Sequence, residues 1–530
     1  MKRNEDIIRE NLAKNLSFID SDLTLAEEEY YLKNKYGSNG FIDILATDSE
    51  NNYVIIEIKR SNHSSRETLN EILKYAGLLR QNLKIKQSEL RIIVVSTEWA
   101  ELLVPFSEYV RESIYNIEGY KLEVDSNYFP TKIESIEIIP EEWIREFSRN
   151  HTCFYYQNGY LVSPTIKKIK SLLPSYGISD FAILVLNPKN DIDPFELHLI
   201  IQKYSTDYFT NCLKRICTEK KNNCVNHDEI NEILNQSVEF DDEESYLYEL
   251  ESLVLGEFIY GKDAIEYDSL DNSYPEKLMY KLNQNYEVLG IIRNGFFEND
   301  QRLNDSTLLY EILGFNGSNQ LCYYNYANSK NKAKILEIKK DSLNCLCFNE
   351  VWKKHISTIF SRLTKINKFT VSINVFNPDS ILESIFACSQ NKDSIPAYEI
   401  IVENLDVNSI QVYNGFISWT KNNVQLKQIV DIFFEGDAFN IFMQKQFGTI
   451  GLLDSKIMKI LGLSYETSLT EIKPDTIDIH RLEYNDGDFR IEEMKSSEMF
   501  LDFLTYRSDL VRDVIDIYAE YMFIPNYNIQ

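Results

Sequence analysis

The chain has 530 residues and a formal net charge of −27, with hydrophobic residues at 44% and charged residues at 26%. This composition excludes an intrinsically disordered chain, and the negative charge argues against indiscriminate nucleic-acid binding by the whole surface. The sequence shows no apolar run long enough to span a membrane, no signal peptide and no disulfide framework among its 8 cysteines, so we expect a cytoplasmic protein.

Residues 1–128 are predicted to form one α/β domain. Apolar residues at helical spacing indicate helices, and β-branched runs bounded by turn residues indicate strands. The predicted elements are helix 4–15, strands 23–31, 41–46 and 53–59, helix 66–80, strand 90–96, helix 99–115 and strand 120–124. Alternating helices and strands of this kind are typical of a sheet flanked by helices.

Downstream of residue 128 the signals are weaker and indicate a large α+β region of unknown fold. We divide it into lobes 129–330 and 331–530, with the boundary in a turn-rich segment. Helices are predicted at 141–148, 164–173, 208–217, 351–363, 380–388 and 424–446, and strands at 181–186, 197–202, 369–376, 398–403 and 410–417. We expect this region to regulate the first domain, to recognise a target, or to assemble the protein with itself or a partner.

Three charged residues lie in predicted strands of the first domain. Asp43 lies in GFIDIL, and Glu57 and Lys59 lie in VIIEIK after a tight turn. Positions 57 and 59 project to the same face of their strand, and a hairpin brings residue 43 near residue 57. Charge in an apolar strand is costly unless it is paired or binds a metal. Carboxylates of this kind suit Mg²⁺ and metal-assisted phosphodiester cleavage.

The Glu-x-Lys triplet is weak evidence by itself, because it recurs. Glu219, Glu337, Glu471 and Glu493 are each followed by Lys two residues later. Glu337 is predicted to lie in a strand that lacks a matching Asp strand, and Glu493 at the start of a helix. We expect all four copies to be surface charge.

The segment 57–91 is locally basic, with eight Lys and Arg residues against four Glu residues. A basic stretch beside acidic residues suits a site that holds a polyanion near a metal. A solvated helix face explains the same charges equally well.

The order of these features resembles the restriction-endonuclease-like PD-(D/E)XK superfamily, and most nearly the nuclease domain of NucS-type DNA endonucleases. The resemblance is carried by an early helix with Glu5, by the Asp43 and Glu57-x-Lys59 strands, and by a helix with Glu71 four residues before Tyr75. It covers the predicted first domain and stops there. It implies a mixed sheet flanked by helices.

The resemblance also implies a DNA endonuclease that depends on Mg²⁺ or Mn²⁺. Asp43 and Glu57 would bind the metal, with the Ile58 carbonyl as a further ligand. Lys59 would orient or help to deprotonate the attacking water and offset charge on the phosphate. Glu5 would reach the same catalytic site, and its alternative is a helix-terminal carboxylate favoured by the dipole.

The nucleic-acid contacts implied by the resemblance come from the segment after the triplet. The candidate residues are Arg60, Arg66, Glu71, Lys74 and Tyr75. Glu71 departs from the family, in which glutamine is usual. It keeps the reach of that residue but adds negative charge, and its alternatives are a metal ligand or a group that weakens the approach of the phosphate. Tyr75 would stack on the nucleic acid or hydrogen-bond to it, and its alternative is a core residue.

Two other functions stay open, an RNA-directed nuclease and a non-catalytic scaffold on a nuclease fold. The intact Asp, Glu and Lys set argues against the scaffold. Fusion of such a module to an unrecognised region is also typical of bacterial anti-phage defence effectors, which we hold as a hypothesis. Separately, Cys212, Cys217, Cys224 and His227 are four potential zinc ligands whose spacing matches no standard zinc module.

Overall fold

The computed structural model describes residues 4–59, 62–139, 145–219, 227–235, 243–260, 265–378, 380–392, 394–446, 449–485, 487–493 and 498–521. The chain divides into two compact units, Met1–Trp143 and Ile144–Gln530. Both contain sheets packed with helices, which confirms the predicted α/β class.

The first unit is built on a six-stranded mixed sheet whose strands follow one another in chain order. Strands β3, β4 and β5 run parallel, and the other neighbouring pairs run antiparallel. The bounds are α1 Asn4–Ala13, β1 Thr24–Leu32, β2 Gly40–Thr47, β3 Tyr53–Lys59, α2 Asn62–Leu83, β4 Leu90–Ser96, α3 Leu103–Glu112, β5 Asn116–Val124 and β6 Pro130–Ser135. The boundary predicted at residue 128 therefore lies before the last strand of this sheet.

The central strand β3 is buried because helices cover both faces of the sheet. Ile55 packs in the same core as Ile72 of α2, and Ile56 packs with Ile8 of α1 on the opposite face. Since side chains alternate along a strand, Glu57 leaves β3 on the face covered by α2. The fold thus places a carboxylate under a helix.

The second unit begins with a five-stranded antiparallel sheet of order β10-β7-β9-β8-β11. Helices lie between its strands and after them. The bounds are β7 His151–Tyr156, α4 Val162–Leu172, β8 Phe181–Pro188, β9 Phe195–Ile201, α5 Thr206–Glu219, α6 His227–Leu234, α7 Glu243–Tyr260, β10 Ser269–Ser273, α8 Pro275–Gln284, β11 Tyr286–Asn294, α9 Phe296–Asn299 and α10 Asp305–Ile312.

A larger antiparallel sheet follows, of order β12-β13-β14-β15-β16-β17-β18, with β19 also paired to β15. Its first strand, β12, lies before the boundary predicted at residue 330. The bounds are β12 Cys322–Asn328, α11 Lys332–Cys345, α12 Glu350–Leu363, β13 Phe369–Phe376, α13 Ile381–Gln390, β14 Ala397–Asn404, β15 Ser409–Trp419, α14 Leu426–Phe433, α15 Phe439–Gln446, α16 Asp454–Leu461, β16 Leu463–Lys473, β17 Thr476–Asn485, β18 Asp488–Glu493, β19 Glu498–Met499, α17 Phe500–Tyr506 and α18 Ser508–Tyr521.

Four local predictions downstream of residue 128 differ from the structure. The helix predicted over 424–446 is two helices, α14 and α15, because the chain between them takes positive φ at Glu435 and Gly436. Glu337 lies in helix α11 and Glu493 in strand β18, the reverse of the two predictions. The helix predicted over 141–148 falls partly outside the described residues, and 145–148 are not helical.

Candidate active site

The strands β2 and β3 bring Asp43 and Glu57 together. Their antiparallel register pairs Ile44 with Ile56, and Asp43 and Glu57 are the next residues along the two strands beyond this pair. The two carboxyls lie close enough for Asp43 to raise the pKa of Glu57 by repulsion. Asp43 Oδ2 accepts a hydrogen bond of 2.8 Å from the backbone N–H of Ile58, which holds its carboxylate against β3. Residue 58 contributes its amide to the site in this way, and the carbonyl role that the resemblance implies for it stays a prediction.

Glu57 is almost completely buried, with an exposed fraction of 2%. Its Oε1 accepts a hydrogen bond from Lys59 Nζ at 3.0 Å, while its Oε2 has no hydrogen-bond partner among the described residues. Lys59 Nζ also donates to Glu71 Oε2 of α2 at 2.8 Å. The ammonium therefore bridges a buried carboxylate and a half-buried one.

Burial raises the pKa of both central carboxyls. For Asp43, burial raises the pKa to about 6 against the opposing effects of the Ile58 amide and of Lys59. For Glu57, burial and then repulsion from Asp43 raise the pKa well above its ordinary value. Burial alone lowers the pKa of Lys59, but attraction to Glu57 and hydrogen bonds to Glu71 and Glu57 outweigh it and raise the pKa. Lys59 is an ammonium at neutral pH.

Helix α1 contributes two charged residues to this region, of which sequence reasoning found one. Glu5 lies close enough to raise the pKa of Asp43 by repulsion. Arg9, which was missed, lies one helical turn later, with a guanidinium nitrogen 3.0 Å from Glu29 and 3.9 Å from Asp43 Oδ1. The signal was present, because positions four apart share a helix face.

Of the predicted nucleic-acid contacts, Glu71, Lys74 and Tyr75 have described side chains, and all three make contacts within the protein. Tyr75 has an exposed fraction of 7% and belongs to the core under α2, where its ring packs on Gly40. It therefore occupies the core position that the sequence left as its alternative. Lys74 Nζ donates to Ser38 Oγ at 3.1 Å and to the Asn39 carbonyl at 2.9 Å.

The side chains of two further candidates lie outside the described residues. Arg60 lies outside the described residues, and the side chain of Arg66 on α2 does as well. Glu71, predicted to contact nucleic acid, forms an ion pair with Lys59, and its side chain remains 34% exposed.

The donor set suits a hard divalent cation. Asp43 uses Oδ2 for the Ile58 amide, and Glu57 uses Oε1 for Lys59, so each carboxylate keeps one oxygen outside these bonds. Two adjacent carboxyls whose ionised forms repel each other are stabilised by a cation between them. Oxygen ligands of this type are those that Mg²⁺ prefers.

Comparison of the chain with protein-family models, with curated proteins and with solved structures found no match. The likeness to PD-(D/E)XK nucleases thus rests on the residues themselves. In the described part of the chain, no helix is long and apolar enough to cross a membrane.

The cysteine group on α5 is only partly described. Cys212 is buried in the apolar core of the second unit, and Cys217 packs against the same core. Cys224 lies outside the described residues, and so does the side chain of His227. Core packing accounts for the two cysteines that are described.

Proposed function

We propose that the first unit is a nuclease that cuts DNA with Mg²⁺ or Mn²⁺ held by Asp43 and Glu57. The observation that carries the proposal is the buried Glu57 Oε2, which has no hydrogen-bond partner in the described residues although its carboxylate lies close enough to Asp43 for the two to repel each other. A buried carboxylate oxygen without a partner is costly, and a metal ion relieves that cost.

When bound at such a pair, a divalent metal lowers the pKa of a water ligand and offsets charge on the phosphate. The chain's own contribution is to position the groups around it. Asp43 is oriented by the Ile58 amide, and Glu57 is oriented by Lys59. The burial of Glu57 excludes water from one side of the site.

Lys59 acts in this proposal as a permanent cation. Because its pKa is raised, the ammonium offsets charge on the scissile phosphate and orients the attacking water, and it does not remove a proton from that water. Glu71 is a positioning residue, since its Oε2 holds Lys59 Nζ at 2.8 Å. The resemblance leaves two roles for Lys59, orienting the attacking water or helping to deprotonate it. The charges around Lys59 support the first.

The test is cleavage of supercoiled plasmid, single-stranded DNA and single-stranded RNA by the full chain with Mg²⁺ or Mn²⁺. Wild type is compared with Asp43→Asn and Lys59→Met. The matched control is Lys473→Met on β16, because Lys473 of the second unit forms the same Glu-x-Lys ion pair with Glu471 at 3.1 Å and belongs to neither proposed site. We expect metal-dependent cutting of DNA by wild type and by the control, and loss of cutting in both site variants.

Other outcomes separate the rival functions. Cutting of RNA but not DNA, with the same dependence on Asp43 and Lys59, assigns the RNA-directed nuclease. No cutting and no Mn²⁺ binding by wild type assigns the non-catalytic scaffold.

We also propose that residues 144–530 regulate this activity, as in an anti-phage defence effector. The support is the layout of the chain, in which a small candidate nuclease unit precedes a much larger one. A phage-plating assay of cells expressing wild type and Asp43→Asn tests it. Equal phage sensitivity of cells with wild type and cells without the protein contradicts the defence role.

A further inference from the structure

A second cluster of potential metal ligands lies inside the second unit, on two neighbouring strands. Cys153 of β7 is directly opposite His198 of β9 in the antiparallel register, and Glu196 precedes His198 by two residues on the same face. One ligand atom from each of the three lies within 4.8 Å of the others. Each of the three residues has an exposed fraction of 1% or less.

The distances between these three ligand atoms are close to those between the ligands of a tetrahedral metal ion. Cys153 Sγ lies 3.4 Å from His198 Nε2 and 3.6 Å from Glu196 Oε2, and the last two atoms are 2.9 Å apart. Tetrahedral zinc with ordinary bond lengths sets the same three separations at about 3.5, 3.6 and 3.4 Å. The nitrogen–oxygen separation is the short one because those two atoms hydrogen-bond to each other.

Buried nitrogen atoms without partners lie on the same face of the sheet as the cluster. His198 Nδ1 and both ring nitrogens of His151 have no hydrogen-bond partner among the described residues. His151 precedes Cys153 by two residues, so it lies on the same face of β7, and its ring centroid is 6.2 Å from that of His198. Its exposed fraction is 0%. Buried imidazoles without partners are uncommon and need an explanation.

A nucleophilic cysteine does not explain the arrangement. In a Cys-His pair one ring nitrogen faces the sulfur while the other is held by an orienting group. Here a single nitrogen, His198 Nε2, faces both Cys153 Sγ and Glu196 Oε2. The complete burial of Cys153 also leaves no route for a substrate to its sulfur.

We propose that Cys153, Glu196, His198 and His151 hold a structural zinc ion that joins β7 to β9. A thiolate with imidazoles selects zinc over Mg²⁺, and a closed, buried site favours a fourth protein ligand over water. Binding releases the thiol proton of Cys153 to solvent. Lys281 of α8, which donates to both Glu196 oxygens at 2.7 Å, orients that carboxylate from outside the site.

The experiment measures zinc by elemental analysis of the full chain after loading with zinc and dialysis. We expect about one zinc per chain in wild type and a loss of nearly all of it in Cys153→Ser and His198→Gln. The control is Cys212→Ser, which removes another buried cysteine of the same unit and keeps its zinc. Asp43→Asn also keeps its zinc, which separates this site from the proposed nuclease.

A second measurement does not depend on the folding of the variants. Zinc is removed from wild type and replaced by Co²⁺, and the absorption spectrum is recorded. We expect wild type to show a thiolate-to-cobalt charge-transfer band together with intense tetrahedral bands. Wild type that retains no zinc, zinc that persists in both site variants, or a cobalt spectrum without the thiolate band overturns the proposal.

Discussion

Replacement of Lys59 by Met is expected to destabilise the first unit by about 3–5 kcal/mol, because it leaves the Glu57 carboxylate buried without its cation. The two charges are 3.0 Å apart, which at an effective dielectric constant of about 20 corresponds to an attraction of about 5–6 kcal/mol. The loss is smaller than this attraction because Glu57 can take up a proton when the ammonium is removed. Its pKa is already raised well above the ordinary value.

Lys473→Met provides the control at nearly the same geometry. Lys473 Nζ lies 3.1 Å from Glu471 Oε2, but the two side chains are 48% and 22% exposed, against 11% and 3% for Lys59 and Glu57. Solvent screening reduces such a pair to about 1 kcal/mol or less. The two ion pairs share their distance and their Glu-x-Lys spacing, so a difference in lost stability between the two variants reports the effect of burial.

The assay is amide hydrogen exchange of β3 and β4 peptides in the full chain, from which the local free energy of unfolding follows. For Lys473→Met the same measurement is made on β16. The loss of unfolding free energy in Lys59→Met should shrink as the pH falls, because a protonated Glu57 needs no cation. Equal losses for the two lysines, or a loss at Lys59 that grows on acidification, would refute the reasoning.

Three further predictions follow from individual groups. The affinity for Mn²⁺, measured by titration calorimetry, should fall as the pH drops through about 6, where Asp43 takes up a proton that competes with the metal, and Asp43→Asn should abolish binding at every pH. Burial raises the pKa of Glu251 from 4.5 to about 7, so the folded chain holds that proton more tightly and stability falls as the pH rises through this window. Glu251→Gln should remove that fall, which thermal melts at about pH 5 and about pH 8 would reveal, and parallel profiles would contradict it. A Cβ at Gly40 would lie 2.6 Å from Tyr75 Cε1, so Gly40→Ala should cost about 1–3 kcal/mol. In contrast, a Cβ at Gly77 of helix α2 would meet no described atom within 4 Å, so Gly77→Ala should stabilise the protein by about 0.5–1 kcal/mol. The denaturant concentration at the midpoint of unfolding should therefore fall for Gly40→Ala and rise for Gly77→Ala.

The sequence by itself determined the central strands of the first unit and the pairing of its acidic residues. The runs YVIIEIK and LRIIVVS predict strands at 53–59 and 90–96, and β3 and β4 have these bounds. Strands buried on both faces need continuous apolar runs, so the local sequence pattern is enough to predict them. A short turn likewise allows a hairpin few registers, and Asp43 lies close to Glu57 as expected.

The sequence pattern predicted the wrong element where one segment is compatible with both a helix and a strand. The segment around Glu337 is rich in β-branched residues and predicts a strand, but Ile338, Ser342 and Cys345 are buried at helical spacing in α11. Since β propensity depends mainly on what a residue packs against, the surrounding core decided this element.

Only the tertiary structure decided which charged groups meet. Glu71 turns to Lys59 and Arg9 approaches Asp43, and both contacts depend on how α1 and α2 pack on the sheet. Cys153 and His198 lie on separate strands with a helix and another strand between them in the chain, and they become neighbours only through the register of β7 on β9. No local pattern encodes such a pairing, because the free energy that sets it comes from burial of the whole sheet.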